Sequence, residues 1–323
     1  MSLHPSKLNY KILGFLIFFL ILAVLPWLLN PFRVRVFTLG GIYTIAATGL
    51  TLFMGFTGQI SIAQGAFFGI GAYASGILTK AGLPFILAFF ASGFMAVLGG
   101  LVIGFPSLRA RAFYLAMATL AFGLSMTILF KNLAGITGGV EGLGGIPAVS
   151  IGPFSFAGFI PYYYLVWVIV GIVLFLAHRL TQSYIGLTFR AIGNNEIAAE
   201  SLGINAYLFR LISFLICSFL AGISGSLYAH LDRVIAPENF TFEESVIFLT
   251  MAVIGGLNSF YGGLIGSLVF TLIGEQLRTL ERWQVIILGC VLILLVIFLP
   301  KGVVSIPGKL KQIGKTLKGE TTH

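Results

Sequence analysis

The chain is predicted to be an all-α integral membrane protein. Of its 323 residues, 58% are hydrophobic and only 9% charged, and the mean hydropathy is +1.03. A soluble domain carries about 25% charged residues, so this composition excludes a water-exposed surface on most sides. Forty-one glycines fit the same class, because small residues let membrane helices approach closely. Cys217 and Cys290 both lie inside apolar runs and read as packing residues.

A spanning helix needs about 20 apolar residues. The first run, 12–29, follows Lys7 and Lys11 as a secretory signal would. It is longer than a signal core, and Pro-Trp-Leu-Leu-Asn-Pro at 26–31 offers no small-residue cleavage site, so a retained helix is expected. Uncharged runs follow at 36–79, 81–108, 112–130, 142–177, 211–231, 245–274 and 283–300. The run 36–79 is too long for one crossing and is broken by Gly55-Phe-Thr-Gly58-Gln59, which splits it in two. In 142–177 only the part after Pro161 is continuously apolar; the rest is a Gly/Pro/Ser loop. Gly255-Gly-Leu-Asn-Ser-Phe-Tyr-Gly-Gly263 interrupts 245–274, giving two short helices or a re-entrant pair. About ten transmembrane segments result, in one domain over 1–300 with a basic tail at 301–323.

Lys and Arg set the orientation. With both termini cytoplasmic, the inside holds Lys7, Lys11, Arg109, Arg111, Arg179, Arg190, Arg210 and the five lysines from 301 to 318. The outside holds Arg33, Arg35, Lys80, Lys131, Arg233, Arg278 and Arg282. Reading 245–274 as one long helix would put the lysine tail outside, against the rule. The basic tail also suits an anionic inner leaflet.

On this topology a polar loop, 181–205, faces the cytoplasm. Gly193-Asn194-Asn195 offers an N-cap, and Glu196 lies in the first turn, where the helix dipole favours an anion. Ile197, Ala198, Ala199, Glu200, Ser201 and Leu202 follow, and Gly203 is a natural stop before Ile204. A helix of roughly two turns, about 12 Å long, is expected to present small side chains. Such a surface suits insertion into a groove of another protein; the residues alone equally allow an interfacial turn that satisfies its own backbone.

The pattern Gly193-x-Asn195-Glu196-x-Ala198-Ala199-x-x-x-Gly203-Ile204, followed by Ala221-Gly222-x-x-Gly225, resembles the cytoplasmic loop of permeases in ATP-driven (ABC) importers. GFTGQISIAQGAFFGIGAYASGIL at 55–78 resembles a signature of the branched-chain amino-acid permeases. RARAFYLAMATLAF at 109–122 and GITGGVEGLGGIP at 135–147 are similar to their LivM-type member. The likeness spans roughly residues 36–300 and extends to permeases for urea and short amides. It implies a permease subunit in a bacterial or archaeal cytoplasmic membrane. Its partners would be a homologous second permease, two cytoplasmic ATPase subunits and an external solute-binding protein. It also implies that Asn195, Glu196, Ala198, Ala199, Glu200, Gly203 and Ile204 form the coupling helix seated in an ATPase cleft.

Polar groups inside a membrane are costly and mark function. Thr57, Gln59, Ser61 and Gln64 cluster at the first break, and Asn258 and Ser259 sit in the second. These breaks are expected to border the translocation path. Read as preceding helices of opposite direction, they suggest an inverted repeat of segments 2–5 against 7–10. Ser213, Cys217, Ala221, Gly225 and Ala229 recur every fourth residue and predict a flat packing face. The acidic and basic residues Glu141, Asp232, Arg233, Glu238, Glu243 and Glu244 are external charges available to a binding protein.

No Gly-Lys-Ser/Thr phosphate loop occurs, so energy must come from a partner and no cofactor is expected. His4, His178, His230 and His323 are scattered without metal spacing, and no G-x-S-x-G or HExxH is present, so no enzyme is read here. A stand-alone secondary transporter or channel would place a coupling charge in the membrane core; Glu275 and Arg278 instead lie near a segment end.

Overall fold

A computed structural model of the chain describes residues 22, 24–109, 112–257, 259, 261–277 and 289. The run 12–21, the run 283–300 apart from 289, the tail 301–323, Cys290 and the expected path residue Asn258 lie outside the described residues. The helices are α1 (Pro31–Thr57), α2 (Gln64–Lys80), α3 (Phe85–Ser107), α4 (Ala112–Asn132), a single turn α5 (Ala134–Thr137), α6 (Phe159–Gln182), α7 (Tyr184–Asn194), α8 (Glu196–Ser201), α9 (Ala206–Asp232), α10 (Phe242–Gly255) and α11 (Gly262–Leu277). Two-residue strands form two ribbons: β1 (Leu143–Gly144) pairs antiparallel with β4 (Val234–Ile235), and β2 (Ser150–Ile151) with β3 (Phe154–Ser155).

Five of these helices, α1, α3, α4, α6 and α9, are long and apolar enough to cross a membrane. The chain is therefore an all-α, multi-pass membrane protein. The run 245–274 is divided at its glycine-rich break into α10 and α11, which pack against each other.

Helix α1 is the hub: 83% of its most apolar window is buried, against 22% for α4. Burying a threonine-rich helix favours hydroxyls that bond within the bundle; four of its five threonines do so, and Thr48 Oγ1, equally buried, has no hydrogen-bond partner among the described residues. Thr38, Thr44, Thr51 and Thr57 donate to the carbonyls of Val34, Gly40, Ala47 and Phe53, one turn back, at 2.6–2.8 Å. Helix α9 crosses α1 antiparallel, since Gly49 meets Cys217 and Leu220 while Ser224 Oγ donates to the Ile42 carbonyl at 2.7 Å. The predicted small-residue stripe of α9 is buried along its length, from Ser213 through Cys217, Ala221 and Gly225 to Ala229. Cys217 Sγ donates to Gln64 Oε1 at 3.2 Å and is fully buried. Thiol reagents are therefore expected to leave Cys217 unmodified in native membranes and to modify it after denaturation, as peptide mass spectrometry would read.

The architecture repeats with inversion. Helices α1 and α9 each run 27 residues and each end in a left-handed residue, Gly58 (φ 70°) and Arg233 (φ 58°). A non-helical stretch follows each, 58–63 in one case and 233–241 in the other, the latter holding β4 and a 3₁₀ turn at Pro237–Phe240. A short helix then follows, α2 of 17 residues or α10 of 14. Helix α9 packs on α2 and α3; α1 packs correspondingly on α10 and α11.

The equivalences follow the expected order of segments 2–5 against 7–10, but the directions expected after the two glycine-rich breaks are corrected. The 256–261 break precedes α11, which runs antiparallel to α1, with Gly263 at Thr48 and Ser267 at Thr44. Helix α2 also runs back along α1, so the two glycine-rich breaks precede helices of the same direction. The counterpart of 58–63 is 233–241, which lacks a glycine and gave no signal. Glycines at 55 and 255 serve another purpose: a Cβ at Gly55 would overlap the Leu257 carbonyl, and one at Gly255 the Gly262 carbonyl.

The two ends of the bundle sort the charges as the basic-residue count arranged them. Arg35–Asp232 (2.7 Å), Lys80 Nζ donating to the Gly144 carbonyl (2.8 Å) and Arg233 Nη2 donating to the Ala157 carbonyl (3.0 Å) gather at one end. Arg109 stacked on Phe105, Arg190 on Phe56, and the Glu196–Arg210 ion pair gather at the other.

Candidate coupling surface and membrane break

The 181–205 loop is more structured than expected. Ser183 Oγ accepts from Gly186 N and starts α7, an eleven-residue amphipathic helix. Ile185, Phe189 and Ile192 recur at helical spacing, a signal that was available in the sequence. Phe189 is buried with Leu52, Phe56 and Ala177, which fixes α7 beneath α1 and α6. Gly193 touches the Phe56 carbonyl so closely that a side chain there would overlap it, and it also contacts Gly58. Arg190 stacks over the Phe56 ring at 4.8 Å.

Helix α8 follows with one residue between, and both its ends are capped. Asn195 Oδ1 accepts from Ala198 N at 3.1 Å, as the N-cap reading expected. At the other end Gly203 (φ 82°) donates to the Glu200 carbonyl and Ile204 N to the Ala199 carbonyl, a Schellman pattern. Ile204 and Ala199 pack together there with Ile192 and Ala206. Asn205 Oδ1 then caps α9 by accepting from Leu208 N at 3.0 Å. Six helical residues rise about 9 Å, somewhat less than the two turns expected.

The exposed face differs from expectation as well. Ala199 points inward, only 2% exposed, whereas Ile197 and Leu202 stand out at 78% and 82%. The surface presented is therefore two bulky apolar side chains flanked by Ala198, Glu200, Ser201 and Gly203, rather than a row of small ones. Glu196 is not free: it pairs with Arg210, which is buried on the first turns of α9. That pair was missed because Arg210 looked like an ordinary positive-inside residue.

The first break lies at the other end of the same contact chain. Gln64 Nε2 donates to the Ala46 carbonyl at 2.8 Å, eleven residues before the end of α1. At the helical rise this is about 16 Å back along α1, a distance that six extended residues can cover. Helix α2 therefore starts halfway along α1. Its start meets the start of α10: Gly65 N donates to Ser245 Oγ at 2.9 Å, and the Thr241 carbonyl closes the same space. Two short helices thus face each other N-terminus to N-terminus in the middle of the bundle.

Thr57, Gln59, Ser61 and Gln64 are all buried along the stretch from the end of α1 to the start of α2, while Ile60 is exposed. Thr57 is satisfied by its own helix and Gln64 at both ends of its amide; Ser61 Oγ accepts from Ala63 N at 3.4 Å. Thr119 Oγ1 of α4 accepts from Ile62 N at 3.1 Å, so α4 is attached to the break.

Among the expected external charges, Asp232 is held by Arg35, and Glu244 Oε1 is buried against the bundle. Asp232 sits at the bundle end where α9 stops, whereas Glu243 and Glu244 lie at the mid-bundle start of α10, which corrects their expected place among the external charges. Glu141, Glu238 and Glu243 remain exposed.

A bundle whose hub is contacted at mid-depth by two opposed short helices, and at one end by a short capped helix, has the form of a membrane permease. Residues 32–296 match the family described as "Branched-chain amino acid transport system / permease component", and the chain belongs to that family. It is 32% identical to the high-affinity branched-chain amino acid transport system permease protein LivM of Escherichia coli (strain K12), over 99% of this chain and 81% of the relative. It is 26% identical to the LivH permease of the same organism, over 84% of this chain and 93% of the relative. The autoinducer 2 import system permease protein LsrC of Shigella flexneri is 25% identical over 86% of this chain and 83% of its own length. No solved structure matches the chain.

Proposed function

We propose that this chain is the LivM-type permease subunit of an ATP-driven importer for branched-chain or related amino acids. In this reading ten segments cross the membrane and both termini are cytoplasmic, an orientation supported by the basic-residue count. The observation that carries the mechanism is the contact chain from α8 through Gly193 to Phe56, Thr57 and Gly58. Closure of an ATPase pair around Ile197 and Leu202 would push α8. Because α8 is capped at both ends and joined to α7 and α9, that push moves it as a unit. Gly193 passes the motion to the end of α1, where the break toward α2 begins.

Thr57, Gln59, Ser61, Gln64 and Asn258 border the path in this reading, with α4 contributing its poorly covered face. Phe113, Met117, Leu124 and Ile128 are exposed along α4, which suits contact with the second, homologous permease. Exposed Glu141 and Glu238 lie on the end that would receive an external solute-binding protein. The absence of a phosphate-binding loop from the sequence leaves ATP hydrolysis to partner subunits.

Reconstitution tests the assignment. Uptake is expected only when this chain is combined with a second permease, the ATPases and a loaded binding protein; uptake by this chain alone would overturn it. Within such a complex, Gly203→Val is expected to reduce uptake to a small fraction while ATP hydrolysis continues. A side chain at that left-handed position costs about 1–2 kcal/mol, which frays the cap holding α8. Wild-type uptake at wild-type ATP consumption would count against the handle.

A further inference from the structure

We infer that the groove between α3, α6 and α9 is a binding site for an anionic phospholipid, with Arg179 holding the headgroup phosphate. The groove encloses about 1170 Å³ and extends from Ile151 and Phe156 at one end to Arg179 and Ser183 at the other. Between Tyr164 and Leu180, α6 rises about 24 Å, most of a hydrocarbon core about 30 Å thick.

Its half nearest Arg179 is walled by Leu176, Leu180, Ile212, Leu215 and Ile216, with Leu52 of α1 among the lining residues. A zwitterionic solute would lose its hydration there without gaining partners. An acyl chain loses nothing, and walls contributed by three helices hold it more tightly than a flat helix face would. Charge identifies the headgroup. Arg179 is exposed at the mouth, stacks on the Phe175 ring at 5.4 Å, and has no carboxylate partner among the described residues. A guanidinium at the end of an apolar groove, at interfacial depth, matches a phosphodiester. The orientation proposed above enters only in assigning the lipid to the cytoplasmic leaflet.

The test places the photo-cross-linker p-benzoylphenylalanine at Leu176, which is 58% exposed and lines the groove. The full transporter is illuminated in bilayers of phosphatidylglycerol and phosphatidylcholine mixed in known ratio. The expected product is a lipid adduct in which phosphatidylglycerol exceeds its bulk fraction several-fold, with that excess lost in Arg179→Gln. Adducts in bulk proportion, an excess that survives Arg179→Gln, or cross-links to another subunit or to the chain's own 12–21 segment would each overturn the site. Uptake is not read, so failure of this inference and failure of the transport assignment are separate results.

Discussion

Gly225→Val is expected to leave no folded permease in the membrane, and Gly225→Ala to lower stability by about 1–3 kcal/mol, the usual range for overpacking. A Cβ at Gly225 would overlap the Phe68 carbonyl of α2, and one at Gly71 of α2 would overlap the Gly222 carbonyl of α9. Backbone cannot rotate aside as a side chain can, so the two helices must separate. Gly222 is closed on its other side by Ala96 and the Ser92 carbonyl of α3, which removes room for a compensating shift. Separation of α2 from α9 would also strain the Cys217–Gln64 and Ser226–Ser75 contacts, the latter at 2.7 Å. Thermal unfolding in detergent or nanodiscs would read the loss. Gly135→Ala is the control: nothing lies within 4 Å of a Cβ there, so a change within about 0.5 kcal/mol is expected. Equal melting of Gly225→Ala and Gly135→Ala would refute the packing argument.

That stripe was legible in the sequence because helix geometry alone fixes a four-residue repeat on one face. The capped α8 was legible for a similar reason: Asn195, Gly203 and their spacing are local chemistry. What the sequence concealed is mostly long-range. Gln64 is recognisable in the sequence as a polar residue at the break, but only the fold shows its amide bonded to Ala46 and Cys217. The second non-helical stretch, 233–241, carries charges and a proline rather than glycines, so its equivalence to 58–63 had no compositional mark. Arg233 takes the left-handed conformation that glycine takes at 58, at a cost its bond to the Ala157 carbonyl helps offset. Ala199 and Ile197 are adjacent in type and near in sequence, yet one is buried and the other exposed. Which face of a six-residue helix is covered depends on Ile192 and Ala206 arriving from its two neighbours.

The Glu196–Arg210 pair predicts an asymmetry between its partners. Arg210 is buried, its side chain 8% exposed, with Nε lacking a hydrogen-bond partner; Glu196 is 44% exposed. Removing the carboxylate leaves a guanidinium in a nearly dry site, the situation that costs about 3–5 kcal/mol in fully buried pairs. Water reaching the rim reduces this to about 1–3 kcal/mol here. Removing the arginine leaves a carboxylate that water can reach. Glu196→Ala is therefore expected to destabilise the permease more than Arg210→Met, and the double variant to recover part of the loss. A double-mutant cycle on unfolding would give a coupling of about 1 kcal/mol or more. The transport readout has the opposite emphasis. Either single variant unties α8 from α9, so both are expected to lower uptake per ATP consumed, even where Arg210→Met remains well folded. Additive stabilities would show that the pair is incidental. A well-folded Arg210→Met with unchanged uptake per ATP would show that force reaches the bundle through Gly193 and Phe56 alone.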